Sequence, residues 1–409
     1  MLPEDHSNLA TFYKNIGDVL INIGEHSKAL AFVKRAHDIY EKAFPSNHPD
    51  LALCHNWLGN AYINTSEYSE ALSYYLKASE IHESALPQNH SDLVVTYNNV
   101  GAALKYLGEI SKALSYFEKS IHIYQDISPS NQSDLAPIYR NIGLLYIDVG
   151  QYSKALAFEE KALEIDQKCL PLDHLDLATT YDNVGFVYKT MEKYAKALSF
   201  HEVSLQIRQK SLPPNHLDLA DSYTCISGAF KALGQHTEAL LFAQQAYEIH
   251  EKIFPPNHPN LTTSYNNVGA VHNDLGEYSN ALLLHEKALA IEKKTLSPYH
   301  PDIAYSYKNI ALVYNNMKEY SKALNFHQQS LEIFQAILPS DHPILALSHN
   351  NIGLVYRNMG NYSKGYQHHK NAVEIAQHSL PSNHPDLRLY KENLEIVQKE
   401  IETTTQSRL

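Results

Sequence analysis

Cysteine is scarce: Cys54, Cys169 and Cys225 are the only three in 409 residues, and no two stand in a C-x-x-C spacing. Neither a disulfide framework nor a zinc cluster is indicated. Long apolar runs are missing as well. No stretch approaches the roughly 18 residues that a membrane span needs. The start, Met1-Leu2-Pro3-Glu4-Asp5-His6, has neither the basic nor the apolar region of a secretory signal. The expected address is therefore cytoplasmic, with no membrane partner, and the Asn-x-Ser/Thr matches at Asn64, Asn89, Asn131, Asn260 and Asn361 are read as chance. Positive charge is in deficit, 33 Lys plus Arg against 45 Asp plus Glu for a net charge of -12, which repels phosphate backbones and argues against nucleic acid. Gly-rich phosphate loops, G-x-S-x-G and H-E-x-x-H are absent, so no catalytic residue, cofactor or enzyme activity is expected.

What is present is a repeat. Apolar residues make up 44% of the chain, with 29 Tyr and 12 Phe, enough for an ordered core. The tetrad Asn47-His48-Pro49-Asp50 returns as Asn215-His216-Leu217-Asp218 and Asn383-His384-Pro385-Asp386. Its histidine stands at 6, 48, 90, 174, 216, 258, 300, 342 and 384, replaced once by Gln132, so the spacing is 42 residues throughout. Counting that histidine as repeat position 1 divides the chain into nine repeats, 6–47, 48–89, 90–131, 132–173, 174–215, 216–257, 258–299, 300–341 and 342–383. A capping helix over 384–401 and a disordered tail over 402–409 are expected to follow. Leu2-Pro3-Glu4-Asp5-His6 reads like the end of a preceding repeat, as in Leu338-Pro339-Ser340-Asp341-His342, so the chain is expected to start inside a longer array.

Within each repeat, Pro at position 2 and Asp or Asn at position 3 mark the start of a helix A over positions 2–17. A turn such as Gly108-Glu109-Ile110-Ser111 follows, with Ser or Glu placed to cap a helix B over about positions 20–37, which ends near a proline such as Pro213 or Pro255. At about 1.5 Å per residue the two helices are roughly 24 and 27 Å long. Position 12 is Gly17, Gly59, Gly101, Gly143, Gly185, Ser227, Gly269, Ala311 and Gly353, and position 24 is Ala from Ala29 to Ala323, with Gly365 last. Glycine inside a helix costs about 1 kcal/mol relative to alanine, so its return at one position implies close approach of helix A to helix B. Large residues flank it: Tyr97, Tyr139 and Tyr181 at position 8, and Tyr146, Tyr188 and Tyr314 at position 15, on one helix face.

This order of large and small positions resembles the tetratricopeptide repeat, over essentially the whole chain. The expected fold is all-α: a right-handed superhelical solenoid of antiparallel helix pairs. The 42-residue period, and strings such as Thr96-Tyr97-Asn98-Asn99-Val100-Gly101 followed by Gly108-Glu109 and Ala113-Leu114, resemble the repeats of kinesin light chains and the nephrocystin-3 group. That resemblance implies cargo or partner recognition in a cytoplasmic motor or ciliary context, including a kinesin motor complex. Unlike a kinesin light chain, this sequence carries no amino-terminal heptad segment and has nine repeats in place of about six.

The resemblance places helix A on the ligand-facing side. Position 10 is Asn15, Asn99, Asn141, Asn183, Asn267, Asn309 and Asn351, interrupted by Trp57 and Cys225. Asparagine is a poor residue inside a helix, so its return needs a cause. A row of carboxamides offers donors and acceptors to the backbone of an extended peptide, a use the resemblance also implies; alternatively each Asn bonds a neighbouring repeat. Positions 9, 13 and 16 contribute Lys14, Arg140, Lys308, Lys105, Lys189, Lys231 and Arg357 against Asp18 and Asp182, while position 17 adds Asp148 and Asp274. The expected ligand is accordingly an acidic peptide segment, against the alternative of an ordinary solvated face. The histidines of position 1, and His201, His285, His327 and His369 at position 28, each lie one repeat from the next, too far apart to share an ion, so no metal site is expected. A protein-interaction adaptor is the leading reading; a regulatory arm of a larger multidomain protein and an RNA-binding solenoid are the alternatives.

Overall fold

A computed structural model describes residues 7–22, 24–88, 90–127, 133–380 and 384–406. The expectations at residues 1–6, Asn89, Pro129, Asn131, Gln132, Pro381, Asn383 and 407–409 lie outside the described residues. Nineteen α-helices and no strand occur among those described. Residues 1–211 and 212–409 form two compact units. In the first, the A helices are α1 (Ser7–Asn22), α3 (Pro49–Asn64), α5 (Ser91–Tyr106), α7 (Leu135–Asp148) and α9 (Leu175–Thr190). They alternate with the B helices α2 (His26–Ala43), α4 (Tyr68–Ala85), α6 (Ile110–Ile127), α8 (Tyr152–Cys169) and α10 (Tyr194–Ser211). The second unit alternates α11 (Leu217–Ala232), α13 (Leu261–Asp274), α15 (Pro301–Asn316) and α17 (Pro343–Asn358) with α12 (His236–Ile253), α14 (Tyr278–Thr295), α16 (Tyr320–Ile337) and α18 (Tyr362–Ser379). It closes on α19 (Pro385–Gln406). Within each unit every A helix packs on the B helix that follows, and that B helix on the next A helix. One point is corrected: α19 runs on to Gln406, over residues 402–406 that were expected to be a disordered tail.

The start of helix A is set by the histidine itself. In His48, His90, His174, His216, His258, His300, His342 and His384 the imidazole Nδ1 accepts the backbone N–H two residues on, at 3.2 Å each. This is the work of an N-cap side chain, done by a residue outside the usual Ser, Thr, Asp and Asn set. Helix B starts differently. Glu25, Glu67, Gln151, Gln235, Glu277 and Glu319 stand at its N-cap without a side-chain cap bond, contrary to expectation, and Asn361 alone of this series accepts one, from Lys364.

The turn between the helices is a left-handed stop. Gly108 has φ +75°, its N–H donates to the Lys105 carbonyl at 3.0 Å, and the Glu109 N–H donates to the Leu104 carbonyl at 2.9 Å, the pairing of a Schellman motif. Beyond the turn the two helices come close. A methyl group built on Gly101 would lie 2.6 Å from a ring carbon of Phe117, so only glycine lets that ring, at repeat position 28, bury fully. In the repeat that has serine at position 12 the partner is small: Ser227, whose Oγ donates to the Ala239 carbonyl at 2.7 Å, shares its repeat with Ala243. Aromatic sandwiches complete the pair, as where Phe158 of α8 lies between Tyr139 and Tyr146 of α7, ring centroids 6.0 and 5.6 Å apart.

Candidate peptide-binding face

Repeat positions 9, 10, 16 and 17 lie on one side of each A helix. The structure joins successive A helices along that side by contacts between residues 43 apart. Asn141 donates to Asn98 at 2.9 Å, Asn393 to Asn350 at 3.0 Å, Asn316 to Asn273 at 3.0 Å and Asn358 to Asn315 at 3.4 Å. At the same two positions Lys231 reaches Asp274 at 3.2 Å, and Arg357 makes a forked contact with Glu400 at 2.9 Å. In the second unit these links run without a break from α11 through α13, α15 and α17 to α19.

Beneath this surface, position 9 enters a buried polar seam. Asn56 donates to Thr96 at 2.9 Å, and His82 of the intervening B helix meets the same hydroxyl at 3.0 Å. Arg140 donates to Asp166 at 2.8 Å and to Thr180 at 2.9 Å, with Thr180 also bound to Asp166. One repeat later the signs exchange: Arg208 of α10 donates to Asp182 of α9 at 2.5 Å, and Asp182 also holds His201 at 2.9 Å. In the first two clusters three helices, A, B and the next A, share the polar groups, while in the third α9 and α10 do so; the buried charges are tolerated because each has a partner.

These contacts sort the expected site residues. Arg140, Lys231 and Arg357 are held by carboxylates of the chain itself, as is Lys14 by Asp18 at 2.5 Å. Lys105, Lys189 and Lys308 form no ion pair within 4 Å among the described residues. Burial lowers the Lys105 ammonium below its ordinary value while Asp148 and Glu159 pull it back up, and its Nζ lies 4.6 Å from the Tyr106 ring centroid. Burial lowers Lys308 too, with its Nζ 5.0 Å from the Tyr305 ring centroid. Among the asparagines, Asn141 is bound to Asn98, and Asn183 adjoins the buried Glu159 carboxyl, which burial pushes up to about 8 against Asn183, Arg140 and Lys105. Asn15 is exposed and Asn99, Asn267, Asn309 and Asn351 are half-buried. None of these five carboxamides bonds another side chain among the described residues. Asn267, Asn309 and Asn351 therefore form a row on three consecutive A helices of one unit, flanked by exposed Tyr305, Leu312 and Leu347.

Position 9 was read only for its charges, and the bonding role of Asn98, Asn266 and Asn350 was missed. Its signal was in the sequence as the doublets Asn98-Asn99, Asn266-Asn267 and Asn350-Asn351: Asn266 and Asn350 accept from the buried His285 and His369 of the following B helix, Asn98 accepts from Asn141, and the second residue of each doublet bonds no side chain among the described residues.

The tetratricopeptide repeat family matches at residues 8–84, 50–126, 92–168, 134–210, 176–252, 260–336 and 345–386. The chain belongs to the tetratricopeptide repeat family. Among solved structures this tetratricopeptide protein is similar to the apo form of RapI, at 16% identity and a TM-score of 0.62 over 90% of this chain and 98% of that one. It is also similar to the apo quorum sensor NprR of B. thuringiensis, at 14% identity and 0.63 over 88% and 98%. A kinesin light chain-type repeat protein of Podosopora anserina matches at 23% identity and 0.45, over 50% of this chain and 96% of that one. No curated protein matches the chain. No helix among the described residues is long and apolar enough to cross a membrane.

Proposed function

We propose that this tetratricopeptide array is a non-enzymatic cytoplasmic adaptor that holds an extended peptide segment of a partner protein, with Asn267, Asn309 and Asn351 bonding the peptide backbone. The observation that carries this reading is the row of three half-buried carboxamides with no side-chain partner among the described residues, since such groups lose free energy unless a ligand or water satisfies them. The row offers one carboxamide per repeat to the backbone amides of an extended chain. The preference for acidic segments rests on Lys105, Lys189 and Lys308, which form no ion pair within 4 Å among the described residues, and less on Arg140, Lys231 and Arg357. The repeat resemblance extends the reading to a cargo or partner role of the kinesin light chain kind. A net charge of -12 favours protein over RNA as the ligand.

An array of peptides tests this. Asn267→Ala, Asn309→Ala and Asn351→Ala together are expected to abolish capture while leaving the melting temperature within a few degrees. An unchanged binding pattern in a stable triple variant would remove the groove reading. Equal capture of acidic and basic peptides would remove the charge preference alone.

A further inference from the structure

His37 and His55 break the repeat in two places that meet. Position 32 is Leu163, Leu205, Leu289 and Leu331 in other repeats but His37 here, and position 8 is tyrosine in seven repeats but His55 here and His349 in the last. His37 Nε2 on α2 faces His55 Nδ1 on α3 at 3.1 Å, and both residues are 5% exposed. Glu41, one helical turn beyond His37, brings Oε1 to 3.6 Å from the same Nε2. Asp38 adds a second carboxylate, and ligand atoms of His37, Asp38 and Glu41 lie within 4.8 Å of one another.

We propose that His37, His55 and Glu41, with Asp38 as a further donor, bind one divalent transition-metal ion of the zinc, cobalt or nickel class. Two donors each about 2.0–2.1 Å from a tetrahedral ion stand about 3.3–3.4 Å apart. The 3.1 and 3.6 Å separations from His37 Nε2 bracket that edge. His55 stands outside the group whose ligand atoms lie within 4.8 Å of one another, so the exposed Glu41 side chain must swing towards His55 to close the site. Two imidazoles and a carboxylate are the donor set of an intermediate-softness cation, not of calcium or magnesium. The carboxylates are exposed while the rings are buried, which gives an ion a route in and the rings a fixed orientation. Tyr74 buttresses both rings, its centroid 5.6 Å from that of His37 and 5.7 Å from that of His55. Lys77 is the opposing charge, held over the Tyr74 ring at 4.7 Å and outnumbered by Glu41 and Asp38. The argument that separated the position 1 and position 28 histidines by a whole repeat does not apply, because α2 and α3 are neighbours.

Zinc and cobalt titrations of the full chain test the site at neutral pH, comparing the natural protein with the double variant His37→Leu, His55→Tyr. Both substitutions restore residues found at the same positions in other repeats, so the variant folds, and any binding by other histidines cancels in the difference. The expected result is one zinc fewer per chain in the double variant, with loss of the visible absorption of tetrahedral cobalt. Glu41→Gln, which leaves the two rings in place, is expected to weaken zinc binding at least tenfold. Equal zinc stoichiometry in the natural and double-variant chains would overturn the proposal and leave a His–His hydrogen bond only. Unchanged affinity in Glu41→Gln would overturn this ligand set.

Discussion

Gly185 of α9 lies under the ring of His201 of α10: a methyl group on Gly185 would stand 2.8 Å from Cε1 and 3.0 Å from both ring nitrogens. The ring cannot simply step aside, because its Nδ1 is 2.9 Å from Asp182, which is itself bound by Arg208. Gly185→Leu is therefore expected to destabilise by about 1–3 kcal/mol through overpacking, read as a lower urea midpoint. Gly185→Ser combined with His201→Ala copies the Ser227 and Ala243 combination and is expected to recover part of that loss. A wild-type midpoint in Gly185→Leu would mean that the helices do not approach as described.

Glu192 and Lys318 are expected to improve when changed to glycine. They hold φ +59° and +61° at the repeat position where Gly108, Gly150, Gly234, Gly276 and Gly360 sit between +72° and +78°. Nothing lies within 4 Å of a Cβ placed at those glycines, so crowding at Cβ does not distinguish the two classes and the backbone strain does. A left-handed residue with a Cβ costs about 1–2 kcal/mol, and glycine returns about 0.4–1 kcal/mol of that through the entropy of the unfolded chain. Glu192→Gly and Lys318→Gly should each raise stability by about 0.5–1 kcal/mol, a shift measurable by denaturant unfolding.

Acid sensitivity is expected from three buried histidines of the second unit. Burial holds His285, His327 and His369 down at about 4, with nearby Lys231, Lys308 and Arg357 adding to the effect respectively. Unfolded, the same rings titrate near 6.5. Between pH 6.5 and 4 the unfolded chain holds more protons than the folded one, so stability falls as the pH is lowered through that window and levels off below it. Each ring contributes a slope of at most about 1.4 kcal/mol per pH unit. His285→Phe, which places at position 28 the residue that Phe117 supplies elsewhere, should flatten the urea midpoint against pH by one ring's share. An unchanged slope would refute the assignment.

The repeat, its helices and the small residues between them were legible because each depends on neighbours within one period: Gly101 against Phe117, or the left-handed Gly108 before Glu109. The binding face was legible in part. Asn141 and Asn309 occupy the same repeat position, yet one is spent on Asn98 and the other is open, because the preceding repeat's position 9 differs in what it already bonds: Asn98 accepts from Asn141, whereas Asn266 is taken by His285 and Ser306. Lys231 and Arg357 look like free cations until Asp274 and Glu400, 43 residues on, are placed beside them. The recurring histidine was plain, but its capping role was hidden by its absence from the usual N-cap residues.

Arg140 and Asp166 offer the sharpest test of that coupling between repeats. Their side chains are 13% and 4% exposed, so removing one partner leaves the other charge buried. Asp166→Ala is expected to cost about 3–5 kcal/mol, while Arg140→Met with Asp166→Leu should be near neutral or stabilising, the usual contrast for a buried pair. Exchanging the two charges, Arg140→Asp with Asp166→Arg, copies the polarity of Asp182 and Arg208 but should still fail. The reason is Glu159, which occupies the position 28 place that His201 holds beside Asp182, and which would face a new buried carboxylate. Adding Glu159→His completes the neighbouring repeat's set and is expected to restore most of the stability. If the double exchange proves as stable as the triple, the three positions do not act as one cluster.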